Sequence, residues 1–450
     1  MNPSISEKAG PAGPSLAMAG VDFNAKEFSA NRGSSPKAAL RAKIAYTCLG
    51  LIALSMLLFL PGIGKPPAYV FDEEPYVSSA KALLAHASNP NPEHPPMGKY
   101  LIAAGIRLAG DNPAGWRVAS AVSGALTLAA IFLWTFLLLR DYSYAVTAAA
   151  LTLFNNFLFV MARVALLEIF MFLFLMWALV GFTATVELDI KVRTRRALLL
   201  FSGLMFGLAG ACKWNAVVTL AVTVALAFAV MSLGSWAASR KNDRLARAAQ
   251  NLKEAGTPTL ILGLAVLPVV VYLLAYIPLF RSLDRPFTLP ELGRLHAAMW
   301  SFLRQVKGNR AIHLPWYAWP FSAAPQRALS YLMGNFVVMW GGVLALAICA
   351  RRMWQRAALP ETFVLALYAA NLLQWAIIPR KVTYYYYYYP AAMFLGVAIA
   401  IGLCRTHPWR IFGIRLSFFL VAASAIFFLF CYPRMANLEA PWDCMFGCWT

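Results

Sequence analysis

Charged residues are scarce in this chain: Asp, Glu, Lys and Arg make up 13% of its 450 residues, against about a quarter in a soluble domain. That shortage excludes an ordinary water-facing surface. Alternation of apolar and polar residues at the spacing of barrel strands is also lacking. What the chain has instead is long apolar runs, 60% hydrophobic residues and a mean hydropathy of +0.62. Because roughly 20 apolar residues span a bilayer as a helix, the sequence predicts an all-α polytopic membrane protein.

Acidic residues are scarce too, 19 against 39 basic ones, which leaves a net charge of +20. A compact basic domain is absent, so nucleic acid is not an expected partner. The basic residues lie in short clusters between apolar runs, which indicates contact with anionic lipid or phosphate. Five of the seven cysteines lie in or beside apolar runs, whereas Cys444 and Cys448 share a polar tail and could pair in an oxidising compartment.

The apolar runs divide the chain into three parts. Residues 1–42, rich in Ser, Pro, Gly, Ala and Lys, are expected to be a disordered cytoplasmic tail, and 433–450 an external C-terminal tail. The transmembrane domain, 43–432, is expected to hold a first external loop at 63–115 and a later one at 281–327. The eleven predicted spans lie near 44–60, 116–139, 144–161, 165–186, 198–213, 215–235, 258–280, 329–350, 361–379, 385–404 and 411–432. The apolar segment 101–108 is too short to cross and is expected at the interface.

The orientation follows from the basic clusters. If the N-terminus is cytoplasmic, the inside loops contain the densest basic segments, 191–196, 240–253, 351–356 and 405–410. This agrees with the tendency of Lys and Arg to remain on the cytoplasmic side. Both polar loops then lie outside, together with the junction 161–168 and the connection at Arg380 and Lys381.

The first external loop carries three consecutive acids, Asp72, Glu73 and Glu74, between Phe71 and Pro75. An isolated acidic run is most often a solvated loop. A carboxylate bounded by apolar neighbours, however, can be tuned as a general base.

Farther along the same loop, His94 and Lys99 bracket a segment stiffened by two prolines. It could simply turn the chain, or bring the lysine to a phosphate. Arg117, Arg163 and Lys213 lie near outer span ends, as do Arg380 and Lys381. Each could snorkel to the headgroups, but together they would neutralise an anionic, membrane-borne substrate. The six tyrosines 384–389 suggest an interfacial aromatic belt, with some rings turned inward because one helix face cannot hold them all.

In this order the motifs resemble those of the protein O-mannosyltransferase family, within the GT-C superfamily of glycosyltransferases that use polyprenyl-phosphate sugars. The matching segments, spread over about 71–390, are FDE, HPPMGKYLIA, GWRVASAVSGAL, ARVALLEIF, CKWNA, HLPWYAWPF, MGNFVVMW and IPRKVTYYYYYYP. The resemblance implies an eleven-span GT-C fold, an active site facing outward, and a polyprenyl- or dolichyl-phosphate donor, usually carrying mannose.

The resemblance also implies roles for single residues. Asp72 matches the catalytic base, which deprotonates an acceptor hydroxyl that attacks the anomeric carbon with inversion, and Glu73 assists it. Arg117 matches an arginine associated with the donor. The remaining candidates are Lys99, Arg380 and Lys381 for the donor phosphate, and His94, Arg163, Glu168, His313, Trp316 and Trp319 for the substrate site.

The chain departs from the family pattern in two places. The loop at 281–327 is too short for the β-trefoil insert of eukaryotic relatives, and the segment from His313 to Pro320 has an altered middle, so the acceptor stays open. It could be a protein Ser or Thr, lipid A or a polysaccharide. The short chain suggests a bacterial inner-membrane enzyme with a periplasmic active site. A transporter of the lipid-linked sugar is a further alternative, but no internal repeat supports it. No cofactor is firmly implied, although Asp72, Glu73 and His94 could form an oxygen-rich cation site.

Overall fold

The structure, a computed structural model, describes residues 36–87, 91–305, 314–322, 332–378, 383–405, 409–411 and 413–438. The chain divides into two compact units, residues 1–46 and 47–450. Of the first unit the structure describes 36–46, which are helical. The predicted tails, 1–42 and 433–450, lie largely outside the described residues and stay predictions.

Almost all of the described residues are helical. The α-helices are α1 (Pro36–Phe59), α2 (Glu73–Leu84), α3 (Met97–Ala109), α4 (Pro113–Leu139), α5 (Tyr142–Leu153), α6 (Asn156–Met161), α7 (Leu167–Glu187), α8 (Val192–Cys212), α9 (Ala216–Ser239), α10 (Asp243–Ala255), α11 (Thr257–Ile261), α12 (Leu267–Leu274), α13 (Ile277–Ser282), α14 (Leu289–Gln305), α15 (Phe336–Arg356), α16 (Leu359–Ile377), α17 (Tyr389–Ile399) and α18 (Leu416–Met435). Two π-helical segments, Leu262–Val266 and Ala400–Arg405, and two 3₁₀ segments, Trp316–Phe321 and Tyr385–Tyr388, continue or precede them. The strands β1 (Arg410–Ile411) and β2 (Ile414–Arg415) form a short antiparallel hairpin.

Nine of these stretches, counted within the described residues, are long and apolar enough to cross a membrane. They are Lys37–Phe59, Pro113–Leu139, Leu167–Glu187, Val192–Cys212, Ala216–Ser239, Thr257–Ser282, Phe336–Arg356, Tyr385–Arg405 and Leu416–Met435. Each corresponds to a predicted span, so the all-α membrane fold is confirmed. The number eleven stays a prediction.

The two other predicted spans, 144–161 and 361–379, are also helical in the structure. Residues 144–161 form two shorter helices, α5 and α6, because the chain breaks at Phe154. There Asn155 takes an extended conformation and its side chain accepts a hydrogen bond from Phe157 N, which starts a new helix. Predicted span 361–379 is α16, 19 residues long. It buries polar Asn371 and Gln374 among its apolar residues.

The centre of the molecule is the stretch from Tyr385 to Cys404, which is buried throughout. It packs against α5, α15 and α16. The prediction that some of the tyrosine rings face inward is confirmed. An aromatic belt is the wrong interpretation for Tyr385–Tyr389, since all five rings are buried. The 3₁₀ turn that precedes α17 distributes them around its axis, so they face the neighbouring helices instead of lipid.

The first long polar region, 63–115, folds into α2 and α3, which pack on each other, and α3 packs on α4. The α3 helix begins at Met97, so the predicted interfacial segment 101–108 is part of a longer helix. Gly105 lies against Gly115 of α4, where a Cβ on Gly105 would approach Gly115 O to 2.6 Å. This close contact fixes how α3 lies against α4.

Candidate active site

Asp72 occupies the turn that leads into α2. Phe71 before it has a left-handed backbone (φ +51°), a conformation that costs a non-glycine residue energy and is often found at functional sites. The Phe71 ring packs edge-on against Tyr384 and Tyr386, with centroids 5.0 and 5.6 Å apart. Although Asp72 is the N-cap residue, its side chain makes no capping bond. Its Oδ2 instead accepts a 2.6 Å hydrogen bond from the Tyr386 hydroxyl.

Glu73 lies in a different environment, fully buried and paired with Arg117 of α4. Arg117 Nε and Nη2 each donate a 2.8 Å hydrogen bond to the carboxylate. Glu73 also accepts bonds from Val70 N and Ala165 N, both 2.8 Å. The other N–H groups of the guanidinium donate hydrogen bonds to the backbone carbonyls of residues 63, 66 and 68. These contacts favour a structural role for Glu73 and Arg117, whose predicted parts in catalysis and donor binding stay predictions.

Lys99 at the start of α3 is buried as well. Its Nζ donates to the backbone carbonyls of Asn91 and His94 and so fixes the proline-rich turn. Burial lowers the pKa of Lys99 to about 7, and nearby Glu93 opposes the shift. The His94 ring packs edge-on against Tyr76, with centroids 5.8 Å apart. Lys99 therefore positions His94, and its predicted contact with phosphate stays a prediction.

Glu168 opens α7 and is 3% exposed. Its Oε1 pairs with Lys213 Nζ, at the end of α8, while its Oε2 is buried without a hydrogen-bond partner. The Lys213 ammonium also lies over the rings of Tyr387 and Tyr386, 5.3 and 5.9 Å from their centroids. A cation held by a carboxylate and two aromatic faces can be buried without a large loss of stability.

Tyr76 of α2 links these groups electrostatically. Burial raises the pKa of its hydroxyl well above the usual range, and the charges of Asp72, Glu168 and Glu93 raise it further. Three carboxylates therefore act on one buried phenol. The arrangement brings the first polar loop, the start of α7 and the tyrosine run together in one site.

The other predicted site residues lie apart from this group or outside the described residues. Arg163 donates to the carbonyls of Phe59, Pro61 and Ala436, and so ties three segments together. Trp319 is buried, with its Nε1 donating to Leu314 O, 2.9 Å away, and its ring 5.9 Å from that of Trp375. Trp316 in the same turn is partly exposed. The residues that lie outside the described ranges are His313, Arg380, Lys381, Cys444 and Cys448.

The predicted cation site of Asp72, Glu73 and His94 does not form in the described part of the chain, where no three His, Cys, Asp or Glu side chains are grouped to hold a metal ion. Glu73 is turned to Arg117 instead.

Several residues of the site are absent from the sequence-based predictions. Tyr386, Tyr387 and Tyr76 were not singled out individually, and Gln374 of α16 was not noticed. A polar residue inside an apolar span is a recognised sign of function, so Gln374 could have been found in this way.

The chain is similar to known proteins over most of its length. A family model described as dolichyl-phosphate-mannose-protein mannosyltransferase matches residues 93–244. A polyprenol-phosphate-mannose–protein mannosyltransferase of Mycobacterium tuberculosis is 26% identical over 86% of this chain and 87% of its own.

Two solved structures are similar in fold. The Saccharomyces cerevisiae protein O-mannosyltransferase Pmt1-Pmt2 complex bound to the sugar donor has a TM-score of 0.75 at 13% identity, over 91% of this chain and 92% of the other. ArnT from Cupriavidus metallidurans bound to undecaprenyl phosphate has a TM-score of 0.56 at 18% identity, over 90% and 66%. The motif order, the family match and the shared architecture agree: the chain is similar in sequence to protein O-mannosyltransferases, and it shares the fold of these two solved enzymes.

Proposed function

We propose that the protein is a glycosyltransferase that moves mannose from a polyprenyl-phosphate donor to a Ser or Thr hydroxyl of a protein, with inversion at the anomeric carbon. The observation that carries this proposal is the setting of Asp72. The Asp72 carboxylate lies in the turn before α2 and accepts a hydrogen bond from the Tyr386 hydroxyl. Lys213, which is paired with Glu168, lies over the ring of the same tyrosine.

In this mechanism Asp72 accepts the proton of the acceptor hydroxyl as its oxygen attacks the anomeric carbon. The bond from that carbon to the phosphate oxygen breaks on the opposite side, and polyprenyl phosphate leaves with the electron pair. A neighbouring cation would stabilise the charge on the departing phosphate. Lys213 is the cation that the described site offers, and Arg380 and Lys381 remain candidates from the sequence.

The name of the mycobacterial relative supports both the proposed lipid-linked mannose donor and the proposed protein acceptor. The mycobacterial relative is a polyprenol-phosphate-mannose–protein mannosyltransferase over nearly the same length, which favours a protein acceptor over lipid A or a polysaccharide. Together with the basic clusters this supports a bacterial plasma-membrane enzyme that acts on the outer side.

The first prediction concerns Asp72. Purified protein in detergent, given polyprenyl-phosphate mannose and a Ser/Thr-rich peptide, is expected to mannosylate the peptide, as measured by mass spectrometry. Asp72→Asn is expected to lower the transfer rate about 10²- to 10⁴-fold, because the acceptor hydroxyl loses its general base. Donor affinity should change little, since the amide keeps the shape of the carboxylate.

Glu74→Gln is the matched control, because Glu74 is an exposed acid in the same turn. It should leave the rate within about twofold of the original. Transfer by the Asp72→Asn variant at the unmodified rate would show that Asp72 is not the base. No transfer to any Ser/Thr peptide, together with transfer to lipid A or a glycan, would overturn the proposed acceptor.

A further inference from the structure

The short ribbon formed by β1 and β2 has two chemically different faces. Arg410 pairs with Arg415, and Ile411 pairs with Ile414, across the two strands. Because residues opposite each other share a face and neighbours along a strand point to opposite faces, the arginines lie on one face and the isoleucines on the other. All four residues are exposed. A two-stranded ribbon is marginally stable in water, so the exposed isoleucine face indicates a neighbour other than water.

The ribbon joins directly onto α18, whose surface is largely exposed. The backbone N–H of Leu416, which begins α18, donates a 2.9 Å hydrogen bond to Trp409 O and fixes the ribbon against the start of the helix. α18 is apolar and long enough to cross a membrane, yet only 11% of the residues in its apolar window are buried, so most of it faces lipid. Trp409 is 59% exposed, as is usual for tryptophan at the boundary between membrane and water. The ribbon therefore lies at this boundary, and its isoleucine face adjoins a lipid-facing helix.

The arginine face of the ribbon is turned towards α5. Arg415 Nη1 donates a 3.5 Å hydrogen bond to Ser143 Oγ, in the first turn of that helix. Arg405, which ends the buried stretch before the ribbon, lies close by, because the charges of Arg405 and Arg415 both act on the Tyr144 hydroxyl. Arg405 and Arg415 therefore form an arginine pair, and both of its members are exposed.

The carboxylates around the arginine pair are already engaged. Glu187 pairs with Arg244 at 2.9 Å, and Glu361 pairs with Arg352 at 2.8 Å. The Asp141 carboxylate accepts hydrogen bonds from the first turn of α5. Within the part of the chain that the structure describes, neither member of the arginine pair has a carboxylate at ion-pair distance. The charges of Arg244 and Arg352 also act on the first member of the pair, so this region has an excess of exposed positive charge.

A surface that joins exposed guanidinium groups to an apolar face at the membrane boundary fits one kind of ligand. Guanidinium groups bind phosphate through two parallel hydrogen bonds, and basic pockets at the ends of membrane helices bind the head groups of anionic lipids. A soluble anion or a nucleic acid would use the arginines and leave the isoleucine face uncovered. We infer that the arginine pair binds the phosphate of an anionic phospholipid whose acyl chains cover the isoleucine face.

This lipid site lies far from the candidate active site. The stretch Tyr385–Arg405 begins beside Tyr386, which donates a hydrogen bond to Asp72, and ends at the arginine pair. Its 21 residues extend over about 30 Å at the rise of a helix, which is the thickness of a bilayer's hydrocarbon core. The phospholipid therefore belongs to the leaflet opposite the candidate active site and is a ligand other than the sugar donor, so the inference goes beyond the proposed function.

The test measures lipid binding by native mass spectrometry of the full-length protein in detergent, which resolves single bound lipids. Phosphatidylglycerol is expected to bind about tenfold or more tighter than phosphatidylcholine with the same acyl chains, because only its head group has a net negative charge. Arg405→Gln/Arg415→Gln should weaken phosphatidylglycerol binding about 10- to 30-fold, since each arginine near an anionic membrane surface contributes about fivefold. Binding of phosphatidylcholine should be unchanged in this double variant.

The matched control is Lys191→Gln/Arg193→Gln, which removes two exposed basic residues from another basic segment and lowers the net charge equally. It should leave the Kd for phosphatidylglycerol within about twofold, because distant exposed charges are screened. Ile411→Ser/Ile414→Ser keeps the arginine pair and removes the isoleucine face. It should weaken phosphatidylglycerol binding several-fold, because less apolar area is buried, and it tests the site if the arginine variant does not fold.

Glycerophosphoglycerol, the same head group without acyl chains, separates a lipid site from an anion site. At equimolar concentration it is expected to leave phosphatidylglycerol bound, and displacement would overturn the inference because the phosphate alone would then suffice. Equal affinity for the two phospholipids would also overturn it, as would equal weakening in the arginine variant and the matched control, since the effect would then belong to net charge. No sugar transfer is needed for these measurements, so the inference and the proposed function fail independently.

Discussion

The hydrogen bond from Tyr386 to Asp72, 2.6 Å long, joins the buried tyrosine run to the proposed base. A donor aimed at a carboxylate stabilises its charged form. It also restricts the side chain to one rotamer. Tyr386 therefore acts as a positioning residue, because its hydroxyl orients the Asp72 carboxylate.

We expect Tyr386→Phe to move the acid limb of the kcat/KM profile to higher pH by about one unit, because the lost bond is worth about 1–2 kcal/mol. The rate above that limb should fall less than in Asp72→Asn. The matched control is Tyr388→Phe, since Tyr388 is equally buried and donates or accepts a 2.9 Å bond with Tyr368 instead. A profile that moves equally in both variants would mean that the effect is structural.

Single residues differ in how far the sequence could predict them. Asp72 stands out in the sequence because acids are rare and its neighbours are apolar. The pairing of Glu73 with Arg117 joins residues 44 positions apart, so it depends on how α2 lies on α4, and local pattern carries no information on that. Snorkelling cations and buried ones also look alike in sequence, and only burial separates Arg117 from an interfacial arginine.

At the scale of helices, close packing depends on small residues. Gly203 and Gly207 lie four residues apart on α8 and face the π-helical segment Leu262–Val266 and α12. A Cβ on Gly203 would lie 2.0 Å from Gly263 O, and one on Gly207 would lie 2.8 Å from Pro268 O. Small residues at this spacing let two membrane helices approach closely, which fixes the end of α8 that carries Lys213.

Gly203→Ala should therefore destabilise the protein by about 1–3 kcal/mol, because the methyl group meets backbone and cannot be accommodated by a side-chain rotation. The measurement is the melting temperature in detergent, which should fall by several degrees. Gly50→Ala is the control, because nothing lies within 4 Å of a Cβ there. A melting temperature for Gly203→Ala equal to that of the control would show that the two helices are not in close contact.

The sequence contains the signals for some element boundaries and not for others. The spacing of Gly203 and Gly207 marks a packing face, but it does not name the partner helix. The break between α5 and α6 has a local cause, the N-cap at Asn155. A hydropathy average over a whole span does not detect a single capping residue. The start of α15 at Phe336 likewise follows from Asn335, whose side chain accepts from Val337 N; hydropathy alone placed that span near 329.

At the scale of the whole molecule, α8 and α16 have the same polarity: each starts beside a basic segment and ends in the candidate site. α8 begins beside the basic segment 191–196 and ends at Lys213 in the site, and α16 runs from beside the basic segment 351–356 to Trp375 in the site. A 21-residue helix is about 30 Å long, the thickness of a bilayer's hydrocarbon core. Basic clusters and candidate site are therefore at opposite ends of the same helices, an arrangement that the charge pattern of the sequence already indicates.

This polarity makes the orientation testable. Ala85→Cys places a thiol on an exposed residue at the end of α2, on the side of the site, and Gln250→Cys places one on exposed α10, among the basic residues. In spheroplasts of cells whose protein also carries Cys444→Ser and Cys448→Ser, a membrane-impermeant maleimide should label Ala85→Cys at once. It should label Gln250→Cys only after permeabilisation, because positive loops remain on the cytoplasmic side. The five other cysteines lie in or beside apolar helices, and the parent protein measures their background. The opposite pattern would put Asp72 on the cytoplasmic side, where the proposed acceptors would have to be cytoplasmic proteins.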